Sequence, residues 1–283
     1  MRHYLSLTKP RISLLFAITG LAALLVEGSL LSAPFRLWMI VLGIFLTGGS
    51  ANAFNQYFER EIDKQMGRTA QRRPLPQGKI APRSALIFSF FIGIFGTLLL
   101  RAFGNGFAAG LGLGTILFYS LFYTLWLKPR TPYNIVIGGV AGAMGPLIAW
   151  AAASGSIGWV PFIMFLIIFF WTPPHFWALA LYHKEDYEKV SLPMLPIVAG
   201  DAQTRKQIFL YSLILMPLTL SLFFMRAFEW LYGLSAFLLS AYFVWRAFRV
   251  YREKNIKAYR QLFHYSIAYL MFLFLVMMAD TLF

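Results

Sequence analysis

Asn55, Glu59 and Asp63 stand at intervals of four residues in NAFNQYFEREIDKQMGRTAQRRPLP, residues 52–76. On a helix this spacing lines three oxygen-bearing side chains along one face, neighbours about 6 Å apart, a set of hard donors suited to hard cations. Arg68, Arg72 and Arg73 follow and supply planar, permanently charged groups that match phosphate oxygens. Carboxylates with arginines at this spacing suggest a metal-bound diphosphate. A solvated helix end with an orienting positive loop would account for the arginines, but gives no reason for the acids.

A second group follows in HFWALALYHKEDYEKVSLPMLP, residues 175–196, where His175, Tyr182, Lys184, Asp186 and Tyr187 fall at the end of a long apolar run. Tyr182 and Asp186 are again four residues apart. If the two helix mouths meet, Asn55, Glu59, Asp63 and Asp186 could surround one or two Mg²⁺ ions bridging a diphosphate, with Lys184, Arg68 and Arg72 neutralising the remaining charge. Mg²⁺ suits such a site because it binds through a few carboxylates and substrate phosphates. Asp186 could equally be an ordinary loop acid paired with Lys189. His175, after Pro173-Pro174 in an aromatic setting, and His264, at the start of an apolar run, could each offer a neutral imidazole to a haem iron or hydrogen-bond internally. His183 could contact diphosphate or stay solvated, and His3 reads as a surface residue.

The elements that must position these groups are membrane helices. Of 283 residues, 59% are hydrophobic and only 13% charged, and the mean hydropathy is +0.65, well outside the soluble range. Apolar runs long enough to cross about 30 Å of hydrocarbon fall near 11–29, 37–58, 84–103, 107–127, 133–154, 159–182, 207–227, 230–249 and 261–282. These nine spans predict an all-α membrane protein, one domain over 1–283, with cap loops at 59–83 and 183–206. The first run has a basic start but no convincing cleavage site, so it reads as a retained helix. Twenty-two of the 25 Lys and Arg residues lie in the N-terminal segment and the even-numbered loops, the exceptions being Arg36, Arg101 and Arg226. That asymmetry predicts the N-terminus inside and the C-terminus outside, and it explains the net charge of +14 without nucleic acid, which is rejected as a partner. Seven of the 11 acids (Glu59, Glu61, Asp63, Glu185, Asp186, Glu188 and Asp201) occupy just the two cap regions. Orientation does not require them, so they invite a functional explanation. With no cysteine, thiolate metal sites, disulfides and a cysteine nucleophile are excluded.

NQYFEREID with MGRT and RPLP resembles the first signature, Asn-x-x-x-Asp-x-x-x-Asp, of the UbiA-type intramembrane prenyltransferases, with Glu59 at the middle position. LTKPRI (7–12), TPYNIVIGGVAGAMGPLIAW (131–150) and WTPPHFWALALYHKEDYEKVSLPMLP (171–196) resemble its haem branch, the haem O synthases or protohaem IX farnesyltransferases. The last is the most discriminating, because Tyr182-x-x-x-Asp186 stands where the wider superfamily has a second Asp-x-x-x-Asp. Two departures are visible. RTAQRRP carries one more residue than the expected Arg-Thr-x-x-Arg-Pro, which leaves open whether Arg72 or Arg73 corresponds, and Gly145 stands where Pro is expected.

The resemblance implies nine helices around a central cavity, inside cap loops, and Mg²⁺-dependent transfer of farnesyl from farnesyl diphosphate to a vinyl group of haem B. The products would be haem O, for haem-copper oxidases, and diphosphate. It implies metal and diphosphate roles for Asn55, Glu59 and Asp63, phosphate contacts from Arg68 and Arg72 or Arg73, and a second cap from Lys184 and Asp186. It also implies a bacterial cytoplasmic membrane with the cap on the cytoplasmic side, and haem A synthase or oxidase assembly factors as partners. Two alternatives stay open: a family member acting on an aromatic acid or quinone precursor, for which an Asp-rich second motif is expected, and a haem or lipid carrier, which would release no diphosphate.

Overall fold

In the computed structural model, which describes residues 2–282, nine helices among the described residues are long and apolar enough to cross a membrane. They are Pro10–Glu27, Pro34–Phe58, Pro82–Gly104, Gly106–Leu127, Asn134–Ser154, Trp159–Tyr182, Gly200–Phe224, Trp230–Glu253 and Ile256–Leu282. Met1 and Phe283, the ends of the expected 1–283 domain, lie outside the described residues. Short helices join them: Arg2–Leu7 before the first span, Arg60–Gln65 and Gly67–Ala70 after the second, Lys184–Lys189 and Leu195–Val198 after the sixth. The seventh and ninth spans begin earlier than their apolar runs, at Gly200 and Ile256. Their first turns are polar but still helical, as expected where a helix emerges into the interface and its backbone bonds stay internal.

The spans form a closed ring. The second packs against the first and third, the fourth and fifth continue the wall, and the sixth packs on the fifth, seventh and ninth. The eighth lies between the seventh and ninth, and the ninth returns to the first. The outer surface is apolar. Along the third span, Ile87, Phe90, Phe91, Ile94, Phe95 and Leu98 are all exposed, a stripe at helical spacing that only lipid can cover without cost.

The polarity is turned inward and concentrated on one helix. The second span buries Thr47, Ser50, Asn52, Asn55 and Gln56 and leads directly into buried Glu59 and Asp63. Two of these residues tie the N-terminal segment to the mouth. Gln56 Nε2 donates to the Leu7 carbonyl at 2.8 Å and to that of Ser6 at 3.1 Å, and Asn52 Nδ2 donates to Ser13 Oγ at 3.3 Å. Leu7 then packs with Ala53 and with Leu75 and Ile80 of the first cap loop. The second cap loop is anchored by Tyr187, Leu192, Met194 and Leu195, all buried in the main core. Both caps are therefore packed structure.

Close approach of the second and third spans makes this possible. A Cβ on Gly96 would sit 3.0 Å from the Gly43 carbonyl oxygen and 2.9 Å from Leu46 Cβ, and one on Gly43 would sit 3.1 Å from the Gly96 carbonyl oxygen. Two backbones meet there with no room for a methyl group. Gly96→Ala is expected to destabilise the detergent-solubilised protein by about 1–3 kcal/mol. Gly114→Ala, where no atom lies within 4 Å, should leave the thermal midpoint unchanged; equal midpoints for the two variants would refute the close contact.

Candidate active site

The four-residue ladder survives the end of the second span. The Glu59 amide bonds the Asn55 carbonyl at 3.0 Å and the Asp63 amide bonds the Glu59 carbonyl at 2.8 Å, so Phe58 ends one helix without turning Asp63 away. Asn55, Glu59 and Asp63 are 2%, 5% and 2% exposed, so three polar groups are withdrawn from water at one mouth. Such burial requires partners. Each side chain has one: Lys9 Nζ donates to Asn55 Oδ1 at 2.9 Å, Lys128 Nζ pairs with Glu59 Oε1, and Arg73 Nη1 lies 3.4 Å from Glu59 Oε2 while pairing closely with Asp63 Oδ2.

Local backbone features aim these cations. Lys9 lies between two helices in the left-handed region, with φ 48°, a conformation a non-glycine residue adopts only when its surroundings enforce it. Lys128 follows the ten-residue stretch Phe118–Leu127, which winds in wide turns, its amide reaching back five residues to the Tyr123 carbonyl at 2.8 Å. Such widened turns are uncommon and cluster at functional positions. In the same stretch Thr124 Oγ1 accepts from Asn55 Nδ2 at 3.1 Å. Arg73 is held by its amide on the Thr69 carbonyl at 2.9 Å, and Thr69 Oγ1 bonds the Asp63 carbonyl at 2.9 Å.

The electrostatics follow from this packing. Burial would raise the Glu59 carboxyl, but Lys128 and Arg73 outweigh it and hold it down at about 2. Asp63 is pushed up by burial and by neighbouring Glu59, against the pull of Arg73. Burial and then Arg73 push the Lys9 ammonium down to about 7, with Glu59 opposing. Lys128 moves up, because Glu59 outweighs its burial.

The second cap meets the first. A Cβ on Gly67 would lie 3.6 Å from Asp186 Oδ1, and Arg68, Arg72, Tyr182 and His183 together form one wall of a cavity of about 860 Å³. The opposite wall comes from the ends of the eighth and ninth spans, including Arg246, Arg260 and His264. Ends of the second, sixth, eighth and ninth helices thus share one face with Lys9 and Lys128, the face that the basic loops mark. Lys184 is turned aside, pairing with Asp201 at 2.8 Å. His175 is buried, stacked between Trp171 and Phe263, with Nδ1 2.6 Å from Ser266 Oγ. Ser266 spends its proton on the Phe263 carbonyl, so His175 Nδ1 donates. His264 Nδ1 donates to the Arg260 carbonyl at 2.7 Å.

A sequence profile matches residues 13–276 and is that of the UbiA prenyltransferase family. The chain belongs to this family. It is 47% identical over 284 residues to a protein of Gloeobacter violaceus named protoheme IX farnesyltransferase, covering 100% of this chain and 93% of that one. Among solved structures, a digeranylgeranylglyceryl phosphate synthase is similar with a TM-score of 0.81 at 19% identity, covering 99% of this chain and 98% of that one. A UbiA homolog from Archaeoglobus fulgidus, bound to DMAPP and Mg²⁺, gives 0.63 at 16% identity, covering 96% and 99%. These likenesses carry the UbiA fold over the whole chain, multi-pass membrane helices included.

Within the UbiA fold the structure separates Arg72 from Arg73: Arg72 faces the cavity and Arg73 faces the carboxylates. Among the described residues no three carboxylate or histidine side chains converge closely enough to hold an ion, so Asp186 is not gathered with Glu59 and Asp63 in this arrangement. Arg73 and Lys128 stand where positive charge is wanted. The donor set itself, two carboxylates and an amide oxygen already held on cationic nitrogens, fits a hard divalent cation. Sequence reasoning missed Lys9 and Lys128, whose partners lie 46 and 69 residues away; the Lys-Pro of LTKPRI was the one local signal.

Removing one member of the Glu59–Lys128 pair should cost more than removing both. Lys128→Met is expected to lower unfolding free energy in an SDS titration by about 3 kcal/mol, and adding Glu59→Gln should restore about 1–3 kcal/mol of it. Glu59, held at about 2, is charged at pH 7, so the coupling is present there and disappears as the pH falls from 4.5 towards about 2. Strictly additive losses at pH 7 would show that the pair is not coupled.

Proposed function

We propose that this UbiA-family chain transfers a farnesyl group from farnesyl diphosphate to a vinyl group of haem B, producing haem O and diphosphate. The observation that carries the reading is full-length identity of 47% to a protoheme IX farnesyltransferase, joined to a mouth where acids and arginines face each other across two cap loops. Asn55, Glu59 and Asp63 would hold Mg²⁺, with Asp186 joining from the second cap, which lies against the first at Gly67, as the oxygen-rich donor set and the Mg²⁺-bound homolog of the same fold support. Bound there, the ion supplies positive charge that stabilises the departing diphosphate.

The chain's own residues do the rest. Arg68 and Arg72 bind diphosphate oxygens from the cavity side, where guanidinium forks suit phosphate. Lys128 and Arg73 hold Glu59 ionised, Arg73 also orients Asp63, and both would give up those carboxylates to a divalent cation. The bond between farnesyl C1 and diphosphate oxygen breaks, leaving its electron pair on diphosphate. A new carbon–carbon bond forms from the haem vinyl group to C1, and water captures the resulting cation, losing a proton, to give the hydroxyethylfarnesyl substituent. Apolar walls keep water away until that last step, and aromatic faces steady the allylic cation. The distribution of Lys and Arg supports a cap on the inner face, the family resemblance supports a bacterial cytoplasmic membrane, and haem A synthase or oxidase assembly factors would receive the product.

Purified protein with haem B, farnesyl diphosphate and Mg²⁺ is expected to form haem O, and Asp63→Asn to reduce the rate by about 10²-fold or more. Loss of activity on chelation, restored by Mg²⁺, checks the metal. Diphosphate release with an aromatic acid or quinone precursor but no haem O would move the chain to the other prenyltransferase branch, and no turnover with any acceptor would make it a carrier.

A further inference from the structure

The cavity at the inner mouth is larger than a diphosphate requires. At about 860 Å³ it lies in the range of pockets that enclose a drug-sized ligand. Its lining includes four arginines and no acid. Two of them, Arg68 and Arg72, come from the cap loop beside the ladder. The other two, Arg246 and Arg260, come from the eighth and ninth spans, outside every motif that the diphosphate site uses.

Arg246 is held in place on three sides. Its guanidinium lies over the Tyr242 and Trp245 rings at 5.0 and 5.3 Å, and Nη1 donates to Gln261 Oε1 at 2.7 Å. Its Nε is buried with no hydrogen-bond partner. Stacking fixes the plane of the fork while one of its donors remains unspent, which is costly unless an anion completes it. Arg260 is exposed on the same wall, and its carbonyl fixes the His264 ring. Phe263 and Tyr265 complete the wall with flat faces.

We infer that Arg246 and Arg260, with Gln261 positioning Arg246, form a subsite for the two carboxylates of the acceptor, separate from the diphosphate contacts Arg68 and Arg72. The inference rests on the haem reading above, because haem B is a planar macrocycle carrying two carboxylates. Carboxylate and phosphate are both anions that arginine forks accept, and what separates them is which substrate loses affinity when this wall is neutralised.

The test uses full-length protein in detergent. Binding of haem B and of its dimethyl ester is followed by Soret titration, and KM is measured for both substrates, in wild type, Arg246→Lys and Arg246→Gln/Arg260→Gln. Esterification should weaken wild-type haem binding about tenfold or more. The double variant should lose a similar factor for haem B and no longer distinguish acid from ester, with KM for farnesyl diphosphate unchanged. Arg246→Lys, which keeps charge without the fork, should fall between. Equal binding of acid and ester by wild type would overturn the inference, as would a double variant whose loss appears in the KM for farnesyl diphosphate. If wild type makes no haem O, the proposed function falls, and the ester comparison still decides the subsite by binding alone.

Discussion

Everything at this mouth depends on holding two carboxylates in a place that excludes water. Glu59 and Asp63 are buried almost completely, and isolated charges at such positions would be neutralised or hydrated. The protein solves this by bringing three cationic side chains from three separate segments to one ladder of oxygens. That requirement explains the N-terminal helix folded against the second span, the strained turn at Lys9, the widened turns before Lys128 and the Thr69 bonds that return Arg73 to the ladder. The third and seventh spans, by contrast, are mostly lipid-facing and hold these pieces in register.

Much of this was legible in the amino-acid order because it was local. Four-residue spacing from Asn55 to Asp63 describes a helical face, and the backbone bonds across Glu59 bear it out. Long apolar runs locate the nine spans, since the bilayer leaves a chain few other ways to satisfy its backbone. Polar first turns hid the true starts of the seventh and ninth spans, as hydropathy reports the hydrocarbon and not the helix. Lys9 and Lys128 were invisible for a different reason. Salt-bridge partners far apart in sequence have no spacing to read, and a lysine beside a membrane span is otherwise explained by orientation alone.

The two sides of the mouth also divide their labour in a way that motif spacing could not express. Two adjacent arginines, Arg72 and Arg73, point to different tasks, because a short turn after Thr69 sends one to the cavity and the other to the ladder. Asp186 lies against Gly67, so the second cap bears directly on the first. The contact makes the geometry of each cap sensitive to the other.

The distance along the chain between Glu59 and Lys128 has a consequence for biogenesis. As the polypeptide is made, the second span and its acidic end enter the bilayer 69 residues before Lys128, and two further spans must be threaded in between. During that interval the Glu59 carboxylate has Arg73, 14 residues on, and water as its partners but not Lys128, so the mouth stays wet until the fourth span docks. Assembly of the dry compartment is therefore tied to insertion order: the last cation to emerge is the one that lets the door close.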